Sequence, residues 1–85
     1  MEKKISVKLN RDLDPNEVAR FVQIANQYTS SLYIELDDNR RVNAKSIMGM
    51  MNFLADKGQE VTLVASGEDE AAALEAVASC LAGEG

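Results

Sequence analysis

Polar and apolar residues alternate along KISVKL, residues 4–9, so Ile5, Val7 and Leu9 fall on one side of an extended chain, the pattern of a half-buried strand. The period then lengthens. Val18, Phe21, Val22 and Ala25 recur at the i, i+3, i+4 and i+7 spacing of one helical stripe. Asp14 stands as a natural N-cap, Pro15 fits the first helical position and Glu17 the third, which are start signals for that helix. Alternation returns in SLYIEL, with Leu32, Ile34 and Leu36 on one face, and DDNR supplies turn residues before a short strand around Arg41 to Asn43, so a hairpin is expected. A second helix should run from Ser46 to about Leu54, ended by the ADKG loop with Gly58. EVTLVAS alternates once more with Val61, Leu63 and Ala65 inward, and Gly67 breaks that strand. The last helix, EDEAAALEAVASCLA, opens on acidic residues that suit the positive end of a helix dipole, and its stripe runs through Ala71, Leu74, Val77, Ala78 and Leu81.

The order is therefore β-α-β-β-α-β-α, with no repeat or linker before the GEG tail. Strands apolar on one face and amphipathic helices imply an α+β, two-layer, open-faced sandwich: a four-stranded antiparallel sheet covered on one face by three helices, the other face wet. With 85 residues and 46% hydrophobic content, residues 1–85 form one domain, near the lower end of sizes that hold a core without metals or disulfides. Ferredoxin-like and RNA-recognition folds share this order, so the order alone does not set function. The charge removes one option: 14 acidic residues against 9 basic give a net −5, and only two tyrosines and two phenylalanines are available to stack on bases, so no nucleic-acid partner is expected.

No stretch approaches the roughly 18 apolar residues of a membrane span, and MEKKISVKLN lacks a signal-peptide core, so a cytoplasmic protein is expected. The chain has no histidine, which excludes a His-containing metal site or triad, and no cofactor is expected. Cys80 is the only cysteine; with no second thiol or base to activate it, it reads as a small core side chain.

RVNAKSIMGMM, residues 41–51, is the stretch whose pattern leaves a choice. Ser46 is an N-cap candidate, and Met50, Phe53 and Leu54 make a plausible buried stripe that leaves Ile47, Met48 and Met51 outside. A wider stripe through Ile47 and Met51, leaving only Met48 exposed, fits the pattern equally well. Gly49 is expected to keep the outer face low.

The residues from Val42 to Leu74, with KSIMG, Met51, the KG of the following loop, the EVTL strand and SGEDEAAAL, resemble the HPr family, small phosphocarrier proteins of the bacterial sugar phosphotransferase system. The likeness thins to FVQIANQY in the first helix but covers most of the chain. HPr proteins carry phosphate on a histidine in a G-[IL]-H-A-R-P-A segment. Counting back from FVQ, that segment here is residues 12–18, which puts Asp14 where the histidine stands and Asn16 where its arginine partner stands. The resemblance thus implies a histidine-free variant of Crh-like type, which is not an enzyme.

The resemblance further implies that Ser46 is phosphorylated by an ATP-dependent HPr-type serine kinase/phosphorylase, and that Ile47, Met48 and Met51 form the docking face. The modified protein is then expected to bind a catabolite-control transcription regulator or a metabolic enzyme. Crh-like proteins keep the arginine two positions after the lost histidine; Asn16 replaces it here, and Arg20, one helical turn further on, is the candidate substitute. The alternatives are a degenerate HPr-like binding module without phosphorylation, or a phosphotransferase-system component of unassigned role. A small phosphatase built on Asp14 would need a convergent phosphate cradle of Arg or glycine-rich backbone, which the sequence does not offer.

Overall fold

The computed structural model describes residues 2–9, 14–35, 40–51 and 60–81. Its elements run β1 (Glu2–Lys8), α1 (Pro15–Ala25), β2 (Ser31–Glu35), β3 (Arg41–Asn43), α2 (Ile47–Met51), β4 (Glu60–Ser66) and α3 (Glu70–Leu81). The four strands form one antiparallel sheet in the order β1-β4-β2-β3. All three helices lie on one side: α3 over β1 and β4, α1 against α3 and α2, and α2 beside β3 at the opposite edge from β1.

The first helix forms as its pattern predicts. Asp14 sits in extended backbone and its Oδ1 accepts the Glu17 N–H at 2.8 Å, satisfying one of the amide groups a helix start leaves free. Val18, Phe21, Val22 and Ala25 are all buried. They meet Leu32 and Ile34 of β2, Val61, Leu63 and Ala65 of β4, and Leu74, Val77 and Leu81 of α3 in a single core.

Three expectations need correction. Ile5 belongs to the apolar row of β1 but remains 37% exposed, because β1 is an edge strand and nothing among the described residues covers its outer flank. The buried stripe of α3 runs through Ala73, Leu74, Val77 and Leu81; Ala71 is exposed, on the flank of the helix that borders the open groove beside β1. The open face of the sheet is not uniformly wet either. Val64, which points to that face, is 1% exposed. Its cross-strand neighbours are Lys4 and Tyr33. Arg41 reaches over the Tyr33 ring, 5.4 Å from its centroid, to bridge Glu35 at 2.6 Å and Glu2 at 3.6 Å, while Lys4 meets Glu35 at 3.5 Å. The hydrogen bond from Arg41 holds the Glu35 carboxyl below its usual range. Exposed ion pairs add little stability, but the long side chains roof an apolar residue. The stretches around Leu36, Phe53, Leu54 and Gly58, the turn before Arg40, and the GEG tail lie outside the described residues.

A tie between distant segments closes the molecule behind α1. Asp69, just before α3, accepts the Thr29 and Ser30 backbone N–H groups at 2.9 Å each, and the Ser30 hydroxyl donates to it as well. Gly67 lies against this tie at φ +150; a Cβ there would stand 2.5 Å from Ser30 Oγ and 2.7 Å from Ser30 Cα. Only glycine fits such a position without backbone movement.

Candidate functional site

The chain approaches Ser46 along a rigid path. Ala44 is buried and its N–H donates to Leu32 C=O at 2.9 Å, continuing from β3. The Asn43 side chain accepts the Lys45 N–H at 2.9 Å, and Asn43 C=O accepts the Ser46 N–H at 3.1 Å. Lys45 extends away from the helix start, its ammonium donating to Tyr28 C=O at 2.6 Å. Asn26 follows the last residue of α1 and its side-chain amide donates both to Val22 C=O at 2.9 Å and to Lys45 C=O at 3.2 Å, joining the end of one helix to the start of the next. Asn26 and Lys45 were not singled out in the sequence, because these bonds link positions 17 to 19 residues apart and leave no periodic trace.

Ser46 caps α2. Its Oγ accepts the Gly49 N–H at 3.2 Å and its C=O accepts the Met50 N–H at 2.9 Å. The hydroxyl is half-buried, with no carboxylate or cation bonded to it among the described residues. Around it the helix sorts its apolar residues: Met50 points into the core at 0% exposure, whereas Ile47 is 51%, Met48 78% and Met51 47% exposed. Of the two stripes the pattern allowed, the wide one through Ile47 and Met51 is not found; of the narrow one Met50 is buried, while Phe53 and Leu54 lie outside the described residues. The role expected of Gly49 needs correction. A Cβ there would lie 3.4 Å from Ser46 Oγ and 3.6 Å from Val42, so its missing side chain leaves room beside the serine rather than lowering the outer face.

The residues at the head of α1 have a different character. Asp14 is exposed and engaged as the N-cap; Asn16 is exposed in the first turn, and Arg20 is exposed one turn further on. No cluster of three or more potential metal ligands occurs among the described residues, and no described helix is long and apolar enough to cross a membrane. With a capping carboxylate in place of an imidazole, the first-helix site cannot form a phosphoramidate. Ser46 keeps a hydroxyl able to accept a phosphoryl group.

The comparisons with known proteins agree on this frame. The family model described as the PTS HPr component phosphorylation site matches residues 1–82. The HPr-like protein Crh of Bacillus subtilis is 47% identical over 79 residues, 93% of this chain and 92% of its own. The crystal structure of Bacillus subtilis Crh, described as a dimer with a swapped domain, superposes with a TM-score of 0.78 at 46% identity, over 96% of this chain and 93% of that one. The phosphocarrier protein HPr of Bacillus anthracis superposes with a TM-score of 0.80 at 38% identity, over 95% of each chain. These are phosphocarrier and regulatory proteins, not enzymes, and the chain, with an HPr-like regulatory role, belongs to the HPr family of the phosphotransferase system.

Proposed function

We propose that this chain acts in carbon catabolite control through Ser46: an HPr-type serine kinase transfers the γ-phosphoryl group of ATP to Ser46 Oγ, with loss of the hydroxyl proton and release of ADP. The phosphorylated protein then binds a regulator through Ile47, Met48 and Met51. The observation that carries this reading is the pairing of one half-buried helix-capping hydroxyl with three large apolar side chains left in solvent beside it. Monomeric proteins seldom leave such side chains clustered without a partner for them. Phosphate oxygens at Ser46 can take over the Gly49 N–H and meet the positive end of the first turn, so the modification keeps the helix capped while adding charge to the apolar face.

The histidine route is closed, because the chain contains no histidine. Asp14 keeps a structural role, and Arg20 supplies the cation that Asn16 lacks at the regulator interface. The protein works in the cytoplasm, where ATP and the kinase are found. Incubation with an HPr-type kinase and ATP, read by intact mass, should add one phosphoryl group to the wild type and none to Ser46→Ala. Ser30 should stay unmodified, being buried and bonded to Asp69. A phosphoryl group that persists in the alanine variant removes Ser46 from the mechanism. A second reading, binding without phosphorylation, draws on the fact that the apolar face is exposed before any modification; wild-type protein that resists the kinase yet binds a regulator selects it.

A further inference from the structure

The head of α2 is held in place by groups that do not belong to α2. The described helix has five residues, too few to fix its own first turn, because a short helix draws its stability from tertiary contacts. Ser46 adds one 3.2 Å bond from Gly49, and its N–H and C=O are taken by Asn43 C=O and the Met50 N–H. The peptide between Lys45 and Ser46 is oriented from elsewhere, by the end of α1.

Asn26 stands there, directly after Ala25, in helical backbone at φ −76 and ψ −6, with its own N–H bonded to Val22 C=O at 3.0 Å. Val22 and Ala25 are buried, so the core fixes where Asn26 sits. Its side-chain nitrogen carries two hydrogens and uses both, one toward Val22 C=O at 2.9 Å and one toward Lys45 C=O at 3.2 Å. The same segment takes the far end of residue 45, whose ammonium donates to Tyr28 C=O at 2.6 Å. Lys45 is thereby tied at its carbonyl and at the tip of its side chain, one residue before the acceptor hydroxyl. An amide suits this double duty: a serine hydroxyl offers one hydrogen, an aspartate carboxylate none, and glutamine sets its amide one methylene further out.

We propose that Asn26 is a positioning residue for the phosphorylation of Ser46: its amide clamps Lys45 C=O to the end of α1, so the peptide that precedes the acceptor is fixed before the kinase arrives. The proposal rests on the reading of Ser46 as the acceptor, in which Oγ takes the γ-phosphoryl group of ATP as its proton leaves and ADP departs. Transfer between two bound groups depends on their alignment, and a small misplacement of the acceptor is costly in rate. Docking goes instead through Ile47, Met48 and Met51, which the clamp does not touch. Asn26 therefore acts on kcat and leaves KM alone.

Initial rates with an HPr-type serine kinase at saturating ATP, over a concentration series of this protein, test it on wild type, Asn26→Ala and Asn26→Ser, with thermal melts on all three. Asn26 is exposed, so neither replacement disturbs the core. Alanine removes both bonds of the amide; serine keeps a hydroxyl that reaches back to the carbonyl four residues earlier and loses only the bond to Lys45. Both variants should lower kcat about tenfold, with KM within about twofold of wild type. If Asn26→Ala alone is slowed and Asn26→Ser keeps the wild-type kcat, the effect belongs to the end of α1 and the clamp is overturned. A rise in KM at unchanged kcat also overturns it, by placing Asn26 in the docking face, and so does a loss of rate that matches the unfolded fraction in the melts. Wild type that takes up no phosphoryl group removes the acceptor reading and this inference with it, whereas wild type and both variants phosphorylated at one rate remove the inference alone.

Discussion

Two serines in this molecule each sit against a glycine, and their surroundings could hardly differ more. Ser30 is 1% exposed, its hydroxyl donates to Asp69, and Gly67 approaches so closely that no other residue fits. Ser46 is half-buried, its hydroxyl takes one 3.2 Å bond from Gly49, and a methyl group at that glycine would meet it only at ordinary contact distance. The first arrangement is closed by long-range bonds between segments some 40 residues apart, and it fixes the fold. The second is local, loosely held and ringed by exposed apolar side chains, so a modification there changes a surface and leaves the core alone. Sequence type does not distinguish the two serines; what surrounds each hydroxyl does.

The glycines offer the sharpest way to break this comparison. Gly67→Ala forces a side chain onto a φ of +150 and against Ser30, and should cost about 3 kcal/mol, read as a large fall in melting temperature. Gly49→Ala should stay within about 1 kcal/mol of wild type, because helix propensity favours alanine and the added methyl would meet Ser46 and Val42 only at ordinary van der Waals distance. Equal losses in the two variants would show that the Ser46 corner is as tightly closed as the Ser30 corner.

Acid separates the corners next. Bonds from Ser30 and Thr29 hold the Asp69 carboxyl down at about 2 against an ordinary value of 3.8. A folded-state value below the unfolded one means that the tie contributes fully above the unfolded value and is lost as pH falls through 3.8 toward about 2. Urea melts from neutral pH into that window should show wild type losing stability more steeply than Asp69→Asn. Parallel slopes would mean that the tie carries no proton linkage. Among the described residues Ser46 bonds to no carboxylate, so Ser46→Ala should follow the wild-type slope.

The sequence made some of these features plain and hid others for a physical reason. The first helix was legible in full, since its cap, its proline and its stripe are all local and sit at fixed offsets. So were Leu32 and Ile34 of β2 and the inward row of β4. The Ser30–Gly67–Asp69 tie was not, because its members are joined only by the fold; the sole trace was a glycine read as a strand breaker. Ile5 and Ala71 were misjudged together, since both belong to apolar rows that overrun the sheet edge, and a periodic pattern does not say where a sheet stops. At α2 the periodicity left two stripes open, and burial of Met50 with exposure of Ile47 and Met51 decided between them.

A smaller effect is expected for the cap itself. Ser46→Ala removes a single long hydrogen bond and should cost about 0.5–2 kcal/mol, toward the lower end given its 3.2 Å length. Ser30→Ala should cost more than Ser46→Ala, because it strips a bonded group from a buried site. The opposite ranking in chemical melts would reverse the assignment of closed and open corners.

The smallest effect on stability, and the largest on binding, belongs to Met48→Asp. Met48 is 78% exposed and neither caps the helix nor enters the core, so its replacement should shift stability by no more than about 0.5 kcal/mol. At the centre of a docking face the same carboxylate would be desolvated against an apolar partner, where loss of a central contact typically costs about 2 kcal/mol or more, some thirtyfold in affinity. Thermal melts and a titration with the kinase, made on the same variant, should therefore diverge. The Met50→Asp variant supplies the contrast: Met50 is fully buried, so an unpaired carboxylate there should unfold a domain of this size before any partner is added. If Met48→Asp instead binds the kinase as wild type does, the exposed methionine is only surface, and the open corner around Ser46 has no docking role.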